Sequence, residues 1–306
     1  MKIAVVGAGA MGGALAADAS LAGHDVYIVD VSRELVDKIS DVGLEIHNGE
    51  NVTTATPKAT SDASTVGQVD VIVLFVKAQH TRTAALSLDP MIGDSTTILS
   101  LQNGWGNADV LAEILGTGRL VFGVTYHSCS LLGLGVVNHS GHGDTYIGKY
   151  EGENDASTDT AAEFLRSSGW STTITPVVRT EIWKKLILNA ATLPTAALTG
   201  LTAGELGKSG EMTPIVDAIA RETTLVAQAL GFDIDADERV EKIRAVLAGA
   251  GTGKASMLQD AEAHRKTEIE VINAAVVRAG VSTSTATPLN EVMTAMIAGL
   301  EQSWTR

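Results

Sequence analysis

Hydrophobic positions in the first half of the chain come in short runs. KIAVVG (Lys2–Gly7), DVYIVD (Asp25–Asp30), VDVIVLFVK (Val69–Lys77), STTILSLQN (Ser95–Asn103) and RLVFGVTY (Arg119–Tyr126) are rich in Val, Ile and Leu and have strand length. Amphipathic stretches such as Leu35–Ile39 and Ala108–Leu115 separate them. Strand and helix in alternation imply a parallel sheet with helices on both faces. GVVNHSGHGDTYIGKY (Gly135–Tyr150) and WSTTITPV (Trp170–Val177) read as extra strands finishing the same sheet. After about Thr175 the pattern changes to long helical stretches broken by GELGKSGEM and GFDIDAD. The expected fold is α/β: an N-terminal Rossmann-type doubly wound parallel sheet over residues 1–176, then an all-helical domain over 177–306. Helix limits are marked by local chemistry. Thr287-Pro288 reads as a cap before a first-turn proline, Thr267 with Glu270 as a capping box on a helix closed by Gly280, and Ser256 with Gln259 as a second capping box.

Gly7, Gly9 and Gly12 form G-x-G-x-x-G between the first strand and a helical stretch, enclosing Ala8, Ala10 and Met11. Such a loop turns tightly, lets a pyrophosphate approach the backbone and lets helix pack on strand. The next strand ends in Asp30, 18 residues beyond Gly12. An acid there accepts hydrogen bonds from ribose hydroxyls and repels a 2′-phosphate, which favours NAD over NADP. Arg33 pulls the other way, being placed to meet a 2′-phosphate. A second glycine-lysine string, GAGTGKAS (Gly249–Ser256), lacks the glycine and hydroxyl positions of a P-loop and follows a helix, so it reads as a plain loop.

Composition narrows the partners. Among 306 residues, 36 Asp and Glu against 22 Lys and Arg give a formal charge of −14, which argues against nucleic acid. The apolar stretch after Met1-Lys2 is broken by glycine after four residues, too short for a secretory signal, and no apolar run approaches the roughly 20 residues of a membrane span. A single cysteine, Cys129, precludes an intramolecular disulfide and suits a reducing compartment, so cytoplasm is the expected location. Apolar helical stretches such as TPLNEVMTAMIAGL can pack within the domain or against a second subunit, leaving a homodimer open.

Polar residues at strand ends mark where a ligand lies in an open parallel sheet. Lys77 and Asn103 hold such positions. His127, His139 and His142 cluster in sequence, but no Glu or Cys at ligand spacing accompanies them, so no metal site is expected. In the helical half, Lys185 and Asn189 share a helix face at i, i+4 among Trp183, Leu186, Ile187, Leu188, Ala190 and Ala191. A lysine held there loses hydration, which lowers its pKa toward a range useful for proton donation to a carbonyl oxygen. Lys184 points elsewhere and is assigned to solvent. Glu268 is expected at a helix start.

Taken together, GAGAMG, VKAQHT, LQNGWGN, the NHSGHG…YIG string, WKKLILNAATLPTAALTG.TAGEL and SMLQDAEAHRKTEIEVIN resemble the ketopantoate reductase family, in order from Gly7 to Asn273. The resemblance implies a helical substrate and dimerisation domain beside the nucleotide domain. It implies Lys185 as the general acid that protonates the ketone of a 2-oxo acid, nominally 2-dehydropantoate, as NAD(P)H delivers hydride. Asn189 and Ser256 would bind the substrate, Asn103 would lie by nicotinamide and substrate, Glu268 would contact cofactor or substrate, and Lys77 and Cys129 match cofactor-contacting positions. Leu193 and Ala203 stand where the family usually has substrate-binding asparagines, and Asp30 stands out in a family that mostly uses NADPH. These departures favour a bulkier, more apolar, C3-branched 2-oxo acid with NADH. A dinucleotide sensor without turnover would have lost Lys185 or its partners.

Overall fold

Gly7, in a left-handed conformation (φ +93°), ends the first strand, and the chain turns directly into a helix. The computed structural model describes residues 1–304. Two compact units are present. The first comprises Met1–Gln102 and Asn107–Arg179, the second Asn103–Gly106 and the chain from Thr180 onward.

The first unit runs β1 (Lys2–Val6), α1 (Ala10–Leu21), β2 (Asp25–Val29), α2 (Arg33–Val42), β3 (Leu44–Asn48), β4 (Asn51–Ala55), β5 (Lys58–Thr60) and β6 (Val71–Leu74). It continues α3 (Thr81–Leu86), β7 (Thr97–Ser100), α4 (Asn107–Leu115), β8 (Leu120–Thr125), β9 (Ser128–Gly133), β10 (Val136–Gly141), β11 (Thr145–Lys149), α5 (Ala156–Ser167) and β12 (Thr172–Ile174). The main sheet has the order β12-β11-β8-β7-β6-β1-β2-β5. All neighbours in it are parallel except β11 on β8. Strand order reverses direction between β1 and β6, which are aligned from Ile3↔Val71 to Val6↔Leu74. At such a switch point the connections leave toward opposite faces and open a crevice beyond the strand ends.

One expected sheet is two. Gly135–Tyr150 splits: β11 joins the main sheet, whereas β10 pairs with β3 and β9 in a second sheet of order β4-β3-β10-β9. The second sheet covers α1, which explains that helix's composition. α1 packs on β1 and β2 and also on β3, β4, β9 and β10, so Gly12, Gly13, Ala14, Leu15, Ala16, Ala17 and Ala19 are buried all round. The approach is close: a Cβ at Gly13 would lie 2.8 Å from Val137 Cγ2. Ile3, Val5, Leu15, Ile28, Leu44, Ile46, Val73 and Val137 make one continuous core with Phe164 and Trp170.

The second unit holds α6 (Val178–Thr199, its body from Thr180), α7 (Ala203–Lys208), α8 (Met212–Ala229), α9 (Ala236–Gly249), α10 (Ser256–Glu262), α11 (Asn273–Thr283) and α12 (Pro288–Ser303). Its core is built on Trp183, Leu186, Ile187, Ile219, Ile243, Val276 and Ile297. Among the described residues no helix is long and apolar enough to cross a membrane.

Three expected caps are different in the structure. Ser256 is the first residue of α10 and caps nothing, because Ala255 occupies the cap position. Thr267 makes no capping box: its hydroxyl donates to Glu301 at 2.6 Å, and Glu270 lies in a 3-10 turn (Ile269–Val271) ahead of α11. Gly280 does not end α11. It lies buried inside the helix, where a Cβ would meet Thr287 Cγ2 at 2.6 Å, and the stop is Ser284 in the left-handed conformation. Thr287 does precede α12, but the orphan N–H groups of Leu289 and Asn290 are taken by the buried carboxylate of Glu222 at 3.0 and 2.8 Å.

Candidate active site

In the first unit the glycine loop divides its labour as its spacing predicts. A Cβ at Gly12 would lie 1.9 Å from the Gly7 carbonyl oxygen, so only glycine lets the first turn of α1 sit against the loop. A Cβ at Gly9 would meet nothing within 4 Å. Gly9 also caps α1 without a side-chain bond, so this helix N-terminus offers backbone N–H groups beside open space. Ala8 is buried, Ala10 and Met11 begin the helix, and Met11 packs against the core.

Asp30 follows β2 and is latched to this loop. Its Oδ2 accepts the Ala8 N–H at 2.8 Å and its Oδ1 accepts the Ser32 N–H at 2.9 Å. Each carboxylate oxygen keeps a further lone pair for a ligand hydroxyl. Arg33, the first residue of α2, is exposed. Lys77 lies just beyond β6, half-buried before a 3-10 turn whose His80 N–H donates to the Lys77 carbonyl at 2.8 Å. Its loop is held by a residue that pattern reading passed over. Gln102 Nε2 donates to the Val76 carbonyl and to Thr81 Oγ1, both at 2.8 Å, while its Oε1 accepts from Ser100 Oγ. A polar residue ending a buried strand was the available signal. Cys129 sits on β9 opposite His139, and burial pushes its thiol pKa up to about 12, so it is an inert thiol.

In the second unit α6 carries Lys185, Asn189 and Leu193 at successive i, i+4 positions. Asn189 and Leu193 are buried, and Lys185 is partly covered. Although the lysine keeps some accessible surface, burial lowers its pKa to about 8, and the charge of Glu268 opposes that shift. Asn103 is also part of this unit, with its Nδ2 donating to Glu268 Oε2 at 3.5 Å. The strip Asn103–Gly106 is fixed here by Gly104, where a Cβ would lie 2.4 Å from the Val271 carbonyl oxygen, and by Trp105, whose N–H donates to that same oxygen at 2.8 Å. The Trp105 ring packs against Trp183 and Phe232. Thus Lys185, Glu268 and Asn103 are one electrostatic group.

Ala203 begins α7 and donates its N–H to the Gly253 carbonyl at 3.0 Å, tying it to the loop that leads into Ser256. The read of Gly249–Ser256 as a plain loop fits its course: it links α9 to α10, with Gly251 left-handed. Ser256 is exposed. Lys184 is not simply solvated, because Nζ donates to Glu181 Oε1 at 2.8 Å. Proline at position 194 inside α6 removes the N–H that would reach Ala190. Asn273 replaces it, its Nδ2 donating to the Ala190 carbonyl at 3.0 Å and to Asn290 Oδ1 at 2.9 Å. No sequence rule identified that amide.

Residues 3–152 match the family described as ketopantoate reductase PanE/ApbA, and residues 177–301 match its C-terminal part. A 2-dehydropantoate 2-reductase of Halobacterium salinarum is 31% identical over 280 residues, covering 90% of this chain and 91% of the relative. One of Archaeoglobus fulgidus is 30% identical, covering 98% of each chain. Among solved structures, D-mandelate dehydrogenase with NADH and anilino(oxo)acetate superposes with a TM-score of 0.94 at 28% identity, covering 99% of each chain. The PanE/ApbA family ketopantoate reductase from Ralstonia eutropha gives 0.90 at 29% identity over the full length of both.

Proposed function

The chain belongs to the ketopantoate reductase family, and we propose that it is an NAD(P)-dependent oxidoreductase reducing a 2-oxo acid to the 2-hydroxy acid, nominally 2-dehydropantoate to pantoate. The observation that carries this reading is Lys185, an ammonium whose pKa burial brings down to about 8 beside the carboxylate of Glu268. A donor near the working pH gives up its proton readily and is still largely protonated. The open space at Gly9, the N–H groups of α1 and the remaining lone pairs of Asp30 suit a dinucleotide. When bound, the reduced nicotinamide supplies the hydride. Lys185 donates its proton to the substrate carbonyl oxygen and recovers one from solvent, Glu268 favours the charged lysine, and Asn103 orients Glu268. Asn189, one turn along α6, and Ser256 bind the acid. Lys77 and Cys129 are assigned to the cofactor.

A second reading has specific support. Leu193 and Ala203 present apolar surface where an amide would recognise a hydroxyl, and Asp30 disfavours a 2′-phosphate. A bulkier or C3-branched 2-oxo acid taken with NADH fits these three residues. The structure of D-mandelate dehydrogenase with NADH and anilino(oxo)acetate is consistent with that direction. The test is a panel of 2-oxo acids, with 2-dehydropantoate included, run with NADH and with NADPH. Turnover of 2-dehydropantoate above branched or aromatic acids selects the first substrate reading and the reverse selects the second. A strong NADPH preference overturns the role of Asp30. Binding of either dinucleotide without turnover of any 2-oxo acid makes the protein a sensor.

A further inference from the structure

Three histidines that play no part in this reaction meet in the first unit. His127 lies between β8 and β9, His139 on β10 and His142 just beyond β10, and one nitrogen of each lies within 4.8 Å of the others. We propose that His127, His139 and His142 form a site for a divalent transition-metal cation of the zinc class, with water completing its coordination. Residues at three separate backbone positions, on two strand ends and one strand, converge without help from any acidic ligand.

Each ring offers one nitrogen to the cluster, and His127 Nδ1 and His139 Nε2 face each other directly. His139 Nδ1 lies 3.3 Å from Asp18 Oδ2, close though poorly aligned for a hydrogen bond, and its Nε2 lies 2.7 Å from His127 Nδ1. A carboxylate on one nitrogen holds the proton there and leaves the other as the ligand, the arrangement metal-bound histidines commonly show. Asp18 is itself fixed by the Trp170 indole N–H at 2.9 Å. His142 Nε2 lies 3.1 Å from Asn48 Oδ1, and in the tautomer that donates this bond Nδ1 is the nitrogen left for a ligand. The His127 ring is stacked on Trp170 at 3.9 Å, which fixes its plane.

Two facing imidazole nitrogens at 2.7 Å can share one proton at most. A tetrahedral cation with nitrogen ligands at about 2.0–2.1 Å needs roughly 3.3 Å between them. Shifts of about an ångström suffice, and His142, being exposed, can supply most of them. The cation would clamp the β9–β10 pair above α1, whose Asp18 stands behind the ligands.

The test uses the untagged full chain, given Zn²⁺ or Co²⁺, desalted and assayed for bound metal. The expected results are one zinc per chain, a visible Co²⁺ spectrum of low-coordinate nitrogen ligation, and a melting temperature raised by zinc and restored by chelator. His142→Ala alters an exposed side chain, so the fold survives; it should abolish the stoichiometric zinc and the spectrum. Asp18→Asn should weaken binding by roughly 10–100-fold, the range for second-layer partners. Absence of one-equivalent binding in the parent, or equal binding in parent and His142→Ala, overturns the proposal. Neither outcome touches the 2-oxo acid panel, so the two readings fail separately.

Discussion

In the proposed mechanism Lys185 serves chemistry at the expense of stability. Replacing it by alanine is expected to lower kcat by about 10²–10⁴, the usual contribution of a general acid, while dinucleotide affinity changes little. Equal turnover in variant and parent removes Lys185 from the mechanism. Reduction requires the charged amine, so kcat should fall as pH rises through about 8, and the reverse oxidation should rise over the same range. The stability sign is the opposite of a salt bridge. The folded-state pKa of about 8 lies below the ordinary 10.5, so the fold binds fewer protons than the unfolded chain between these values and gains stability as pH climbs through that window. Below 8 the full penalty applies, at most about 3 kcal/mol and less because the residue keeps some solvent. Lys185→Met should therefore melt higher than the parent near pH 7, with the gap closing toward pH 10.5 in parallel melts. The pair Lys185 and Asn189 stood out in sequence as an i, i+4 polar pair on an apolar face, but a snorkelling lysine explains that helix when it is taken alone, and the resemblance is what made the pair a proton donor and a substrate ligand. Asn103 was marked by its strand-end position and Glu268 by an expected helix start, but that they share a site with Lys185 was legible only through resemblance, since spacing alone does not bring residues so far apart in sequence together.

The elements show which sequence signals hold and which are overridden. Glycine spacing held, and it yields a contrast between neighbours. Gly9→Ala meets open space and should leave the melting temperature nearly unchanged while weakening dinucleotide binding, whereas Gly12→Ala meets a carbonyl oxygen at 1.9 Å and should destabilise the unit itself. Titrating dinucleotide and melting both variants distinguishes these outcomes, and equal melting temperatures would contradict the packing role. Cap signals were weaker, because tertiary partners compete for the same orphan groups: Glu222 takes the start of α12, and Thr267 is drawn to Glu301. The second sheet escaped notice for a similar reason. β4 is exposed at Asn51, Val52, Thr53 and Thr54, so its pattern carries little core signal, and β9 is apolar mainly at its exposed end. In α6 the partner of the proline is decisive. Asn273→Ala leaves the Ala190 carbonyl buried without its donor, which should lower stability by about 1–3 kcal/mol in denaturant titrations. Pro194→Ala restores a backbone donor to that carbonyl, so in its background Asn273→Ala should do less harm, and an additive cycle would refute this link.

At the scale of the whole molecule, the chain divides between Arg179 and Thr180, close to where its composition changes, with one exception. The shift near Thr175 is visible as strands give way to helices, yet Asn103–Gly106, embedded in the α/β half of the sequence, belongs to the helical unit. No local pattern marks these residues, because what places them is the fit of Gly104 against Val271 and of Trp105 against Trp183 and Phe232. The consequence is that the helical unit is incomplete without a piece of distant sequence. A fragment beginning at Thr180 would lose the Trp105 ring, the bond from its N–H to the Val271 carbonyl, and the Asn103 amide on Glu268. Removing an aromatic side chain from packed surroundings destabilises by about 3–5 kcal/mol, a large share of a domain's stability. The expected outcome is a fragment that is helical by circular dichroism but unfolds at a lower denaturant concentration and with less cooperativity than the same region of the intact chain. A fragment that unfolds in one sharp transition at the parent's midpoint would show the strip to be dispensable. A milder version keeps the chain whole: Trp105→Ala should shift the unfolding midpoint of the helical unit through its contact with Trp183, while Gly106→Ala, whose Cβ would meet nothing within 4 Å, is strained only through its left-handed backbone and should shift it less.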